Sequence, residues 1–391
     1  MKEDGYINYS RFFFADYPRE TFRLANTAYE ALKKMDVSEP WKHIVVFRGD
    51  SWASTMIKKG EFTKEETIAL AQFAEREGFK GLVFDPFQPS FAKTVTDDTH
   101  MRARKFFDIV LRGTDDERRT FIDNYLYLLR PATDDSPFFF NYHKTSKMAS
   151  QLKFEKNEGQ FWMYFTGIPV GHAILYSSLI LVSLLAFCLI LLPLFFMKRQ
   201  AAPSAVKLRI FAYFAALGIG FMFVEISMMQ RFILFLGHPV YSMAVVLAGM
   251  LVFSGLGALY SSRIKVPHRG VIMRLMLVIV AASLFNAFLL NSILTPALGL
   301  PLAWRIAITL VLLAPTAFFL GMPFPLGIKM LTENFSPLIP WAWAINGFLS
   351  VFSSVVAIII AMATGFSWVL FSAGLVYMIG FFCAPAAPKR A

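Results

Sequence analysis

Residues 173–391 contain only two acids, Glu225 and Glu333, against 13 Lys and Arg. Glu225 lies inside an apolar run, where a carboxylate is tolerated only if paired, solvated or protonated. It could bind a cation or relay a proton. It could equally be a neutral carboxyl hydrogen-bonded between helices. It shares a helical face with Gly218, Met222 and Met229, a face suited to a close helix neighbour. Gln230 and Arg231 follow, and Arg231 is a possible partner for Glu225, although six residues is not an ideal helical spacing. In Gly237-His238-Pro239-Val240-Tyr241 the glycine and proline set a turn at the membrane surface. His238 there reads as a satisfied interfacial residue or as a catalyst. Asn346 supplies one amide within the aromatic string Trp341-Ala342-Trp343-Ala344-Ile345-Asn346-Gly347. Upstream, Asp134 and Asp135 are paired acids before Pro137; such a pair binds an amine or cation, or caps a turn.

The elements that must carry these residues follow from composition. The 391 residues are 56% hydrophobic and 17% charged, with mean hydropathy +0.51. An ordinary soluble domain is about 45–50% apolar and about 25% charged. Residues 1–172 hold 25 of the 27 acids and 25 of the 38 basic residues, so the net charge of +11 sits wholly in the apolar half. That placement argues against nucleic acid and for the positive-inside rule. Seven runs are long enough to span a bilayer: 173–196, 209–230, 241–261, 272–293, 304–325, 342–363 and 366–384. The last two are separated only by Thr364-Gly365 and read as a tight hairpin. Eleven loop cations (Lys198, Arg199, Lys207, Arg209, Arg263, Lys265, Arg269, Arg274, Lys329, Lys389 and Arg390) fall on one face. Arg231 and Arg305 fall on the other. This bias predicts a cytoplasmic C-terminus in a cell (inner) membrane, with residues 1–172 outside. The first residues, MKEDGYINYSRFFF, lack the apolar core of a signal peptide.

Two features interrupt the spans. Gly321-Met322-Pro323-Phe324-Pro325-Leu326-Gly327 breaks the fifth, as at a transporter site or at a plain span end. Ser254-Gly255-Leu256-Gly257-Ala258 is a small-residue packing surface. Cys188 and Cys383 both lie in apolar runs and read as small hydrophobes, which excludes a disulfide framework and a zinc site.

The N-terminal part reads as mixed α/β. Strands are expected at Tyr6–Phe14, His43–Arg48, Trp52–Ile57 and Gly81–Phe84, the middle two antiparallel about Gly49-Asp50. An amphipathic helix runs from Pro18 to Lys34 through Phe22, Leu24, Ala25, Ala28 and Leu32. Thr63-Lys64-Glu65-Glu66 is a capping box opening a helix to about Arg76, and Gly78 ends it. A second box, Thr114-Asp115-Asp116-Glu117, opens a helix ending near Leu129. Residues 143–160 read as a polar linker and 160–171 as an aromatic approach to the membrane. There is no G-x-G-x-x-G, no P-loop, no Ser/His/Asp spacing of note and no metal cluster.

Collectively these strings resemble the C-terminal part of bacterial membrane-fused spermidine-synthase-like proteins. That family joins a class I, S-adenosylmethionine-type transferase domain to multi-span membrane segments. The resemblance is carried by Asp4-Gly5-Tyr6-Ile7, Tyr17-Pro18-Arg19-Glu20-Thr21 and Thr133-Asp134-Asp135-Ser136-Pro137-Phe138-Phe139-Phe140. In the membrane half it is carried by Gly220-Phe221-Met222-Phe223-Val224-Glu225, Gln230-Arg231-Phe232, Gly237-His238-Pro239, Gly321-Met322-Pro323-Phe324-Pro325 and Trp341–Gly347. It implies a partial Rossmann-like α/β domain over 1–142, a linker over 143–172 and an all-α membrane bundle over 173–391. It implies a polyamine-type substrate near Arg19, Glu20, Asp134 and Asp135, and a membrane polar site at Glu225, Gln230, Arg231, His238 and Asn346. The family's glycine-rich cofactor loop, ribose-binding acid and catalytic aspartate lie upstream of what matches here. The chain is therefore expected to bind no donor alone, and to use an S-adenosylmethionine-type donor only with a partner. Half a doubly wound sheet leaves an open strand edge, for which a second polypeptide or a second copy is expected. Two functions follow: one component of an aminopropyl- or methyl-transferase-like enzyme, or a non-catalytic transporter-like or assembly subunit of a membrane complex.

Overall fold

The computed structural model describes residues 5–14, 17–88, 98–147, 150, 170–196, 203–264 and 268–384. Two units emerge: residues 1–133 with 137–171, and residues 134–136 with 172–391.

Among the described residues, the first unit is built on four strands, β1 (Tyr6–Phe12), β2 (Ile44–Arg48), β3 (Trp52–Lys58) and β4 (Gly81–Phe84), in the order β1-β3-β2-β4. Every pairing is antiparallel. The β2–β3 hairpin turns where Gly49-Asp50 predicts it, with Arg48 opposite Ala53. β1 and β2 both run antiparallel to β3, so they run parallel to each other, joined through helix α1 (Glu20–Lys34). α1 buries Phe22, Ala25, Ala28, Tyr29 and Leu32 in one core with Ile44, Val46, Val83 and Phe84.

Both capping boxes form. Thr63 opens α2 (Lys64–Arg76) and Thr114 opens α4 (Asp115–Asn124), each with reciprocal bonds to the glutamate three residues on. Two differences from the sequence reading are instructive. α4 stops at Asn124 rather than near Leu129: Tyr125 leaves the helix with φ −62° and ψ 148°, and Tyr125, Tyr127 and Leu129 are all buried in the core at alternate positions. Helix α3 (Asp98–Arg112) was not anticipated; it buries Ala103, Phe107, Val110 and Leu111 at helical spacing. The linker expected over 143–160 lies mostly outside the described residues.

Among the described residues, seven helical spans of the second unit are long and apolar enough to cross a membrane. They are α5 (Gly171–Phe195), α6 (Ser204–Leu236), α7 (Pro239–Ser261), α8 (Arg269–Phe288), the pair α9 (Leu302–Leu320) and α10 (Pro323–Asn334), α11 (Ile339–Thr364) and α12 (Phe366–Cys383). Each coincides with a run counted in the sequence. This is compatible with a multi-pass integral membrane protein. α6 is central, packed by α12, α11 and α7, while α8 lies on α12 and α9 on α7.

Small residues set the closest approaches. A Cβ on Gly257 of α7 would lie 1.9 Å from the Phe318 carbonyl oxygen, and one on Gly321 would lie 2.0 Å from that of Ser254. Backbones this close need glycine, as the small-residue surface implies. The break at Gly321-Met322 is closed by Tyr213, whose hydroxyl donates to the Pro323 carbonyl at 2.8 Å. Protein groups thus satisfy backbone polarity where the helix is interrupted.

Candidate functional site

Within the helical unit, the polar residues converge at one end of α6, α8 and α12. Arg231 sits in the last turns of α6 with its side chain only 2% exposed. Its Nη2 donates to Asp135 Oδ1 at 2.9 Å, to the Ala287 carbonyl at 3.1 Å and to Ser367 Oγ at 2.6 Å. Its Nη1 donates to Asn291 Oδ1 at 3.1 Å. Asp135 also accepts from the Ser367 amide at 2.8 Å and hydroxyl at 2.7 Å, at the start of α12. Its own carbonyl accepts from the Phe366 amide at 2.8 Å.

The turn between α11 and α12 makes this possible. Gly365 has φ +101°, and a Cβ there would lie 2.3 Å from Asp135 Oδ2. Only glycine fits both the backbone conformation and the carboxylate. Asp135 thus plugs the N-terminus of α12, where helix amides and dipole favour an anion, and neutralises a buried guanidinium.

The pairing of Arg231 with Glu225 does not form. Six residues place Arg231 well around α6 from Glu225, and Asp135, reached through the chain fold, takes its charge instead. Glu225 is half-buried and has no hydrogen-bond or ion-pair partner among the described residues. Gly218, two turns earlier on its face, packs against Asn346 and Ser350 of α11.

The remaining candidates separate. Asp134 is exposed, so the two acids do not share one role. Gln230 is half-buried. His238 caps α7, its Nδ1 accepting from the Val240 amide at 3.3 Å. The Asn346 amide donates to the Phe214 carbonyl at 3.2 Å, bridging α11 and α6. In the first unit Arg19 is buried with its guanidinium over Phe14, Tyr127 and Tyr142, at 4.5, 4.4 and 5.5 Å. Glu20 is buried beside it; burial pushes its carboxyl up, against the pull of Arg11 and Arg19.

Sequence reasoning missed Ser367 and Asn291, which complete the cluster, and gave Gly365 only as the break between two spans. The signal was the glycine between two spans, where a required positive φ also marks close approach. It also missed Arg23, which burial holds down to about 10. Arg23 donates to four carbonyls, those of Arg130, Phe138, Phe139 and Asn141. Among the described residues no group of three or more His, Cys, Asp or Glu is placed to hold a metal.

No family model, no curated protein and no solved structure matches the chain.

Proposed function

We propose that this chain is a multi-pass membrane component that acts within a complex rather than as an independent transferase. The observation that carries this reading is the commitment of Asp135. The carboxylate that the resemblance to spermidine-synthase-like proteins would offer to a substrate amine is spent on Arg231 and Ser367. A complex is supported by β1. Among the described residues it pairs only with β3, and its first five residues are exposed on both faces, including Tyr6, Ile7 and Tyr9. A strand added at that edge would cover them, by the main-chain pairing that open edges invite.

Two titrations test this on the purified full chain. Spermidine and S-adenosylmethionine should each give no saturable heat; micromolar binding of either would favour a transferase. A photo-cross-linking residue at Tyr9 in native membranes should give a discrete adduct with a second chain or second copy, and no adduct would remove the edge-docking reading.

A second reading, a transporter-like bundle, is favoured by Glu225, a carboxylate within a span and without a described partner. Glu225→Gln should then abolish cation- or proton-coupled uptake while leaving expression unchanged. Cell membrane location with a cytoplasmic C-terminus is proposed from the loop-charge bias.

A further inference from the structure

At the end of α12 remote from Asp135, two arginines converge on one atom. α6, α8 and α12 pack together there: a Cβ on Gly380 of α12 would lie 3.3 Å from the Ala216 Cβ of α6 and 3.5 Å from Met276 Cε of α8. Arg209 lies in the second turn of α6, and Arg269 is the first residue of α8. Each donates from Nη2 to the Phe382 carbonyl near the end of α12, at 3.2 and 3.1 Å. The two donor nitrogens are therefore no further apart than those two distances together. Neither guanidinium has an ion pair or another hydrogen bond among the described residues. Glu225, the acid on α6, is about 24 Å further along that helix.

Two like charges this close repel unless an anion joins them. Their setting adds to the demand. α8 starts at Arg269 with no side-chain cap on its first amides, and the first turn of α6 holds no acid. Both helices thus carry cations at their positive dipole ends, and the last carbonyls of α12 offset only part of that charge. A guanidinium has five donors in a planar fork, so each arginine keeps donors beyond the one shared at Phe382, in the geometry a phosphate accepts. The flanks are apolar: Phe382 is 64% exposed and Leu208, beside Arg209, 71%. A free phosphate gains nothing from such flanks, whereas a phospholipid sets its phosphate level with the span ends and its acyl chains against the apolar side chains. We propose that Arg209 and Arg269 bind the phosphate of an anionic phospholipid headgroup where α6, α8 and α12 end together. This rests on the multi-pass membrane reading, which would fail on its own if alkaline washing released the chain from membranes.

Thermal melting of the purified full chain in detergent tests this. The chain is titrated with phosphatidylglycerol, with phosphatidylcholine of the same acyl chains, and with inorganic phosphate. Phosphatidylglycerol should raise Tm saturably, and the other two should need at least about tenfold higher concentration for the same rise. Arg209→Gln and Arg269→Gln should each weaken the phosphatidylglycerol response about fivefold, and the double variant about thirtyfold. Arg274→Gln, exposed on α8, is the control and should leave the response unchanged. A phosphatidylglycerol midpoint that is the same in both single variants as in the parent would overturn the proposal. Should the variants not fold, the parent alone decides: phosphatidylcholine or inorganic phosphate acting at the same concentration as phosphatidylglycerol would overturn it.

Discussion

Asp135 and Arg231, 96 positions apart in sequence, form an ion pair of 2.9 Å in which the cation is almost wholly buried and the anion is 30% exposed. The asymmetry predicts unequal consequences. Asp135→Ala leaves a buried guanidinium without counter-charge and should cost about 3 kcal/mol. Asp135→Asn keeps an oxygen for Ser367 and Arg231 and should cost about 1 kcal/mol. Melting of the detergent-solubilised chain checks the order of the two.

Gly255 and Gly257 lie two residues apart in α7, yet they predict opposite outcomes. Gly257→Ala drives a methyl into the Phe318 carbonyl, whereas nothing lies within 4 Å of a Cβ at Gly255. The first should lose about 2 kcal/mol or more through separation of α7 and α9. Gly255→Ala should be neutral or slightly stabilising, by the better helix propensity of alanine. Equal effects in thermal melts would contradict the packing described.

How much of this was legible is uneven. The seven spans and both capping boxes are local signals, written in runs and in four-residue spacings, and the structure reproduces them. The end of α4 was not legible because Tyr125, Tyr127 and Leu129 fit a helix locally and are drawn out of it by the core they share with Phe22 and Phe107. The partner of Arg231 was not legible either. Asp135 and Ser367 meet it across separations of 96 and 136 residues, and no local periodicity encodes that.

Arg23→Lys tests the polar organisation of the first unit. A guanidinium can address four carbonyls; an ammonium has three donors and no planar fork. The loss should be about 2 kcal/mol. Faster proteolysis between Arg130 and Asn141 in the variant, with unchanged cleavage elsewhere, would locate it.

Glu20 gives a pH dependence of defined sign. Burial raises its folded pKa above the ordinary value of 4.5, so the unfolded chain gives up this proton more readily. Its contribution to stability is therefore greatest below that value, falls as pH rises through the window up to the raised folded pKa, and stays low above it. Glu20→Gln removes this dependence. The Tm of the variant minus that of the parent should increase from pH 4 to pH 8, and a flat difference would contradict the burial effect.

The most direct test of Asp135 as a structural carboxylate is a double-mutant cycle with Asp135→Ala and Arg231→Leu, read as unfolding free energy of the full chain in detergent. A buried pair predicts strong coupling, with the double variant more stable than the sum of the single losses allows by about 1–3 kcal/mol. Additive losses, or an Asp135→Ala variant that melts like the parent, would contradict the account and return that carboxylate to the pool of groups free to bind a substrate.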